Sequence, residues 1–127
     1  MVKRGVVLFA HGSRDPLWRA PIEAVRDHVA ALGLEARCAY LELCAPDLPA
    51  AVAELVALGA GQVTIVPMFL GTGRHAREDL PQLVAQLRAA HPALSIAVQP
   101  AIGEDPRVTA LMARIAAKPE VSSKNSP

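Results

Sequence analysis

The stretch GVVLFA, residues 5–10, carries no polar side chain and is followed at once by His11 and the turn-forming residues GSRDP. A run of this length is too short for a helix and is typical of a strand that is buried on both faces. Such strands occur in parallel sheets that are covered by helices on both sides. The stretch therefore predicts the first strand of an α/β domain.

Three further apolar runs follow this strand, at residues 35–43, 62–70 and 94–100. Between and after the runs, apolar residues recur at helical spacing. These stripes comprise Ile22, Val25, Val29 and Leu32; Leu48, Val52, Leu55 and Val56; Leu80, Leu83, Val84 and Leu87; and Val108, Leu111, Met112 and Ile115. The alternation predicts an α/β fold with three layers: a four-stranded parallel sheet of order 2-1-3-4 with helices on both faces. In this order strands 1 and 3 are neighbours, and ligands bind beyond their carboxyl ends.

The length of 127 residues is that of one domain, which we predict to span residues 1–117. The tail KPEVSSKNSP, residues 118–127, has almost no apolar material to bury, and we expect it to be disordered. In the helix before the tail, the dipeptide DP at 105–106 predicts an N-cap followed by proline at the first helical position.

The composition excludes several classes of function. The net charge of +1 argues against bulk nucleic-acid binding, and an aromatic content of 3% argues against a platform for base stacking. No apolar run approaches the roughly 20 residues that cross a bilayer, so no membrane partner is expected. Cys38 and Cys44 form no CxxC pair, and no signal peptide precedes the first strand. These features predict a reducing, cytoplasmic setting.

Two histidines follow neighbouring strands of the predicted sheet. His11 follows strand 1, and His75 lies in the segment GTGRHAREDLP, residues 71–81, five residues past the run that predicts strand 3. Because the carboxyl ends of parallel strands meet at one edge of the sheet, both imidazoles are expected over the same crevice. Neutral imidazole binds divalent transition metals and also acts as a base near neutral pH. An incomplete two-histidine site suits a protein that passes a metal on.

Other polar residues near this crevice have two interpretations. Glu42, near the end of strand 2, is either a third member of the site or a solvated strand end. Glu78 and Asp79 either orient an imidazole or form the acidic start of a helix. The segment GTG is not a dinucleotide fingerprint, since it lacks the third glycine and follows strand 3. We interpret His28, His91 and Cys38 as ordinary surface or packing positions, whereas Trp18 either packs at the start of the first helix or forms a wall of the pocket.

Four segments together resemble a known family: HGSRDP after strand 1, LEL with PDL after strand 2, VPMFLGTGRHAREDLP in the middle and IGEDPR near the end. They are similar to the small, single-domain sirohydrochlorin chelatases, the short cobaltochelatases and ferrochelatases of the class II chelatase superfamily. The resemblance covers about residues 3–116. It implies a chelatase-like fold and insertion of Co²⁺ or Fe²⁺, with Ni²⁺ as a further candidate, into the tetrapyrrole sirohydrochlorin with release of two protons.

The resemblance also implies roles for individual residues. By position, His11 and His75 match the metal-binding and catalytic histidines, and Glu42 matches an acidic residue that assists them. The segment against which the macrocycle lies matches Leu70, Gly71, Thr72, Gly73 and Arg74. Arg14, Arg74 and Arg77 are either surface charges or, given this substrate, are placed to meet some of its carboxylates. The family also implies a homodimer, with no permanently bound cofactor.

Two alternative functions remain on the sequence alone. A small metal carrier would use the same histidines to bind a divalent metal without catalysis. A phosphoryl hydrolase would use the histidine of HGSR, although the arginine follows that histidine rather than preceding it as in histidine phosphatases. The sequence leaves open which metal is physiological, whether the product enters cobalamin or sirohaem, and which histidine serves as base.

Overall fold

Four parallel strands form one sheet of order β2-β1-β3-β4 in the computed structural model, which describes residues 2–118. This confirms the predicted α/β fold and strand order. The elements in chain order are β1 (Arg4–Ala10), α1 (Pro16–Ala31), β2 (Glu35–Tyr40), α2 (Leu48–Ala57), β3 (Gln62–Pro67), α3 (Arg74–Ala90), β4 (Ser95–Val98), a 3₁₀-helix (Ile102–Glu104) and α4 (Pro106–Ala117).

Strand β1 is interior to the sheet and is buried on both faces. Val7 and Phe9 belong to one core cluster, and Val6 and Leu8 belong to another on the opposite face. At the carboxyl end of the strand, Phe9 is paired with β2 on one side and with β3 on the other. This two-sided burial explains why the run GVVLFA carries no polar side chain.

Helices cover the two faces of the sheet unequally. On one face, α2 and α3 bury a large cluster that includes Leu48, Val52, Leu55, Leu80, Val84 and Leu87. On the other face, Ile22 and Val29 of α1 pack on the smaller cluster together with Ile102. No residue of α1 or α4 is fully buried, and α4 packs against the 3₁₀-helix.

The strands are shorter than the apolar runs that predicted them. The runs at 35–43 and 62–70 become strands that end at Tyr40 and Pro67. The residues beyond still donate backbone hydrogen bonds to β1 and the residue after it: Leu41 to Ala10, Glu42 to His11 and Met68 to Phe9. The chain therefore stays apolar past the regular ladder, since it is still held against the sheet.

The first and third helices begin earlier than their apolar stripes. Helix α1 starts at Pro16 behind the N-cap Asp15, whose carboxylate accepts a hydrogen bond from the amide of Leu17 at 2.9 Å. Helix α3 starts at Arg74 behind Gly73. His75 therefore lies in the first turn of α3, and the helix begins before Glu78 and Asp79, the residues that were considered as its acidic start. The predicted N-cap at Asp105 is confirmed.

The predicted boundary of the domain stays a prediction. Residues 119–127, which make up most of the tail expected to be disordered, lie outside the described residues. Among residues 2–118, no helix combines the length and the apolar character that crossing a bilayer requires.

Candidate functional site

His11 is held at the carboxyl edge of the sheet by its neighbours in the backbone. Its carbonyl accepts a hydrogen bond from the amide of Glu42 at 3.0 Å, so the segment after β1 lies against the segment after β2. The next residue, Gly12, has a φ of +108°, and a Cβ there would overlap the carbonyl oxygen of Glu42. Glycine is needed at this position because of both the backbone conformation and the close approach of Glu42.

The side chains of His11 and Glu42 are also close to each other. His11 Nε2 lies 3.0 Å from Glu42 Oε1, and the two side chains are 54% and 51% exposed. The pair is thus an ion pair when the imidazole is protonated. Because about half of each side chain faces solvent, both remain accessible to an incoming ligand.

His75 and His11 line one cavity, although they follow different strands. A cavity of about 390 Å³ is lined by His11, Phe69, Gly71, Gly73, Arg74, His75 and Ala76. It brings together one histidine that follows β1 and one that opens α3, as expected when β1 and β3 are neighbours. The cavity joins two imidazoles with a small-residue loop and one guanidinium.

The loop between β3 and α3 is anchored from two sides. The ring of Phe69 packs edge-on against the buried Phe9, with ring centroids 6.1 Å apart. The carbonyl of Phe69 accepts a hydrogen bond from the amide of Gly103 at 2.9 Å. A Cβ at Gly103 would overlap the backbone of Leu70, so the 3₁₀-helix fits closely under this loop.

The remaining predicted substrate-binding residues differ in position. Gly71, Gly73 and Arg74 line the histidine cavity. Leu70 is exposed beside it, and Thr72 lines a second cavity. Arg74 pairs with Glu78 one turn along α3, at 3.3 Å between Nε and Oε1. Arg14 is exposed and forms no ion pair within the described part of the chain.

The acidic residues after His75 do not contact it in a way that would orient the ring. Glu78 is engaged with Arg74, and Asp79 is exposed on α3. Among residues 2–118, no group of three or more His, Cys, Asp or Glu side chains lies close enough to hold a metal ion. His11 and Glu42 are a close pair, and His75 joins His11 through the cavity rather than by a contact.

A second, larger cavity of about 500 Å³ contains none of the histidines. It is lined by one face of α3, including Arg77 and Arg88, and by residues 98–101 after the edge strand. Of these two cavities, only the smaller one is lined by histidines, whose imidazoles bind metals and accept protons.

Trp18 and Cys38, for which a packing position was among the interpretations, contact or lie among core residues. Trp18 contacts the ring of Tyr40 with centroids 6.3 Å apart. Burial raises the pKa of the Tyr40 hydroxyl and also the pKa of the Cys38 thiol, so both stay protonated near neutral pH. Phe69 and Ala76 of the cavity wall were not among the predicted site residues, because Phe69 belongs to the run that predicts strand 3 and Ala76 carries no group that indicates a ligand.

Comparison with known proteins finds curated relatives that share one name, sirohydrochlorin cobaltochelatase. A sirohydrochlorin cobaltochelatase of Methanopyrus kandleri is 33% identical over 81 residues, which are 62% of this chain and 57% of that protein. One of Methanothermobacter thermautotrophicus is 32% identical over 89 residues, 65% of this chain and 58% of that protein. The chain thus spans less than two thirds of the length of the curated relatives that it matches.

Solved structures share the fold over nearly the whole chain. A protein of Marinobacter aquaeolei, described as a cobalamin (vitamin B12) biosynthesis CbiX protein, superposes with a TM-score of 0.80 and 34% identity, covering 94% of this chain and 98% of that one. The sirohydrochlorin chelatase SirB of Bacillus subtilis, in complex with cobalt, gives a TM-score of 0.76 and 26% identity, covering 91% of this chain and 51% of that one. The family model described as CbiX matches residues 5–118, and the chain therefore belongs to the CbiX family.

Proposed function

We propose that this chain is a sirohydrochlorin chelatase, which inserts Co²⁺ or Fe²⁺ into the tetrapyrrole and releases two protons. The observation that carries the proposal is the cavity wall shared by His11 and His75, with the carboxylate of Glu42 3.0 Å from the first of them. The names of the relatives support the reaction, and the cobalt bound to SirB supports the metal for that protein.

The spacing of His11 and Glu42 suits a divalent ion. Two ligands at right angles around one ion, with bonds of about 2.1 Å, lie about 3.0 Å apart. Nε2 of His11 and Oε1 of Glu42 are separated by 3.0 Å in the structure. An imidazole and a carboxylate can therefore hold an ion by two adjacent positions and leave the remaining positions for water, for His75 and for the incoming ring.

The same atoms can take up the protons that the ring loses. When the ion passes to the tetrapyrrole, Nε2 of His11 is left free and can accept a pyrrole proton, and the carboxylate of Glu42 stabilises the resulting imidazolium. His75, which lines the same cavity, would accept the second proton in this proposal. Because proton and metal compete for one nitrogen, metal binding should weaken as pH falls.

The macrocycle lies against the loop of Leu70, Gly71, Thr72, Gly73 and Arg74 in this proposal. Gly71 and Gly73 carry no side chains, so a flat ring can approach the backbone there. Arg74 provides a guanidinium that can bind a carboxylate of the substrate with two hydrogen bonds, and the exposed Arg14 is a further candidate. No permanently bound cofactor is proposed, since the metal is a substrate.

We also propose that the chain acts as a homodimer in the cytoplasm. The outer face of α4 leaves Leu111, Met112 and Ile115 exposed, and this chain aligns with 51% of the SirB chain. A second copy would take the place of the other half of SirB. Light scattering of the wild type and of Leu111→Glu tests this, with Leu32→Glu as a control at another exposed leucine.

The free Cys38 and Cys44 fit a reducing compartment, as the proposed cytoplasmic location requires.

A direct assay tests the activity. Sirohydrochlorin and Co²⁺ or Fe²⁺ are mixed with and without the protein, and the absorption spectrum reports metal insertion. We expect acceleration over the metal-only reaction, and a fall of roughly 10²-fold or more for His11→Ala and for His75→Ala. His28→Ala, an exposed histidine of α1, is the matched control. Unchanged rates in both site variants would remove the proposed site.

The metal-carrier alternative makes a different prediction in the same assay. A carrier would bind the metal tightly and would not turn over. Tight binding needs a fuller donor set than the close pair His11 and Glu42, and residues 2–118 contain no group of three such donors. Calorimetry with Co²⁺, with and without tetrapyrrole, separates a tight carrier from a chelatase.

A further inference from the structure

Leu43 has an unusual backbone conformation next to the site. Its φ is +71°, and it is the single non-glycine residue with a positive φ in the part of the chain that the structure describes. L-residues avoid this region because the Cβ atom crowds the following carbonyl oxygen. Asparagine and aspartate tolerate it through short polar side chains, whereas leucine has no such compensation.

Core packing does not explain why leucine occupies this position. The side chain of Leu43 is 49% exposed, while its neighbours Leu41 and Cys44 pack against core clusters. Strained residues persist when something else requires them, and they concentrate at binding sites. The unfavourable conformation of an exposed leucine therefore points to a contact made with a ligand.

The position of Leu43 indicates which ligand. It directly follows Glu42, whose carboxylate lies 3.0 Å from His11. On the other side of His11, Leu70 follows β3 and is 70% exposed. Because β1 lies between β2 and β3, the two exposed leucines follow the strands on either side of the strand that His11 follows. A site that leaves apolar side chains on either side of an imidazole suits a broad, apolar surface with metal-binding nitrogens at its centre.

We propose that Leu43 is a substrate-binding residue that contacts the apolar face of the tetrapyrrole, opposite the loop that contains Leu70. The inference rests on the proposed function and adds a residue from the β2 side to its substrate contacts. Burial of the leucine in the complex offsets the unfavourable backbone conformation, which the free protein carries without compensation.

The experiment measures binding of metal-free sirohydrochlorin by quenching of its fluorescence, and binding of Co²⁺ alone by calorimetry. Leu43→Asn should weaken tetrapyrrole binding about five- to tenfold, since it removes about half of a leucine burial. Its urea midpoint should equal or exceed that of the wild type, because asparagine tolerates the left-handed region. Leu43→Met, which keeps an apolar side chain, should bind within about twofold of the wild type.

A matched control is available at Leu58. This leucine is 44% exposed and has a negative φ, and its carbonyl accepts a hydrogen bond from Lys3 before β1, at the opposite edge of the sheet. Leu58→Asn should leave both affinities unchanged. The Co²⁺ affinity of Leu43→Asn should also be unchanged, whereas a role in positioning Glu42 would lower it.

The outcomes separate this inference from the proposed function. If the wild type does not bind sirohydrochlorin, the proposed function fails and the inference fails with it. If the wild type binds and Leu43→Asn binds equally well, only the inference is overturned. A joint loss of Co²⁺ and tetrapyrrole affinity would assign Leu43 to the support of Glu42 and would also overturn the contact with the macrocycle.

Discussion

Nε2 of His11 lies 3.0 Å from Oε1 of Glu42, although the two residues follow different strands. The pair exists because β1 and β2 are parallel neighbours whose carboxyl ends reach the same edge. The backbone repeats the relationship, since the amide of Glu42 donates to the carbonyl of His11. Side chains and backbone therefore fix the carboxylate beside the imidazole before any metal arrives, which reduces the entropy lost on binding.

Replacing Glu42 with glutamine should weaken metal binding. The amide keeps the size of the side chain but loses the negative charge that binds a cation and stabilises a protonated His11. We expect the affinity for Co²⁺ to fall by at least roughly 10- to 100-fold, the loss typical of a carboxylate that only supports a metal-binding histidine, because Glu42 is itself a proposed ligand. Calorimetry at constant pH measures the change.

The matched control for this variant is Glu35→Gln. Glu35 begins the same strand at its opposite end, where its nearest cations, Lys3 and Arg37, are 3.9 and 3.7 Å away. We expect its Co²⁺ affinity to match that of the wild type. Equal losses in the two variants would mean that general charge, and not the pair with His11, determines binding.

Replacing Gly12 with alanine should destabilise the fold and separate the pair. The new methyl group would overlap the carbonyl oxygen of Glu42, and the φ of +108° is unfavourable for alanine. Together we expect a loss of about 2–4 kcal/mol in the free energy of unfolding. Urea denaturation, followed by the fluorescence of the single Trp18, measures this.

Gly33→Ala isolates the contribution of the backbone. Gly33 also has a positive φ, of +90°, but no atom lies within 4 Å of the position that a Cβ would take. We expect a loss of about 1–2 kcal/mol for the conformation alone. If Gly12→Ala costs no more than Gly33→Ala, the close approach of Gly12 to Glu42 has no energetic importance.

The loop that faces the cavity can be tested at Gly103. A Cβ at this position would overlap the backbone of Leu70, so Gly103→Ala should displace the loop and lower the free energy of unfolding by about 1–3 kcal/mol. Gly71→Ala meets no atom within 4 Å and should change stability by less than about 0.5 kcal/mol. Since Gly71 lines the histidine cavity, its alanine variant should still weaken tetrapyrrole binding.

These two variants should therefore dissociate stability from binding. Thermal unfolding reports the first quantity and quenching of sirohydrochlorin fluorescence reports the second. Full tetrapyrrole affinity in Gly71→Ala would remove this face of the loop from the binding site. An unchanged melting temperature in Gly103→Ala would show that the 3₁₀-helix and the loop can move apart without a loss in the free energy of unfolding.

The fold was predictable because its signals are local and agree with one another. Fully apolar runs such as GVVLFA, separated by helical stripes, fix the order of elements, and the parallel arrangement follows. The starts of helices were harder to predict. Helices α1 and α3 contain Pro21 and Pro81, and proline has no N–H to donate within a helix. A proline is therefore a sign against a helix in the sequence, and the apolar stripe of α1 was recognised only after Pro21.

The candidate site was predictable only in part. That His11 and His75 line one cavity follows from the strand order, which places the ends of β1 and β3 side by side. The pairing of Glu42 with His11 depends on how the chain turns after β2, and the conformation of Leu43 has no signal in the sequence. Likewise, no local pattern shows that Gly103 lies under Leu70, because the two residues belong to separate loops.

The N-cap of α4 predicts a measurable dependence of stability on pH. The guanidinium of Arg107 donates hydrogen bonds to the Asp105 carboxylate, and together with the backbone amide of Arg107 it lowers the pKa of Asp105 from 3.8 to about 2. The folded state thus favours the charged form. This contribution is present in full above about pH 4 and is lost as the pH falls toward 2.

Asp105→Asn should remove this part of the pH dependence, because asparagine still caps the helix but does not titrate. Between pH 5 and 2 we therefore expect the urea midpoint of the wild type to fall more steeply than that of Asp105→Asn. Arg107→Gln should also flatten the profile, because it removes the hydrogen bonds that lower the pKa. The effect should shrink in high salt, since the side chain of Arg107 is 91% exposed. Parallel profiles for the wild type and both variants would contradict the assignment, because the carboxylate of Asp105 would then not be stabilised by folding.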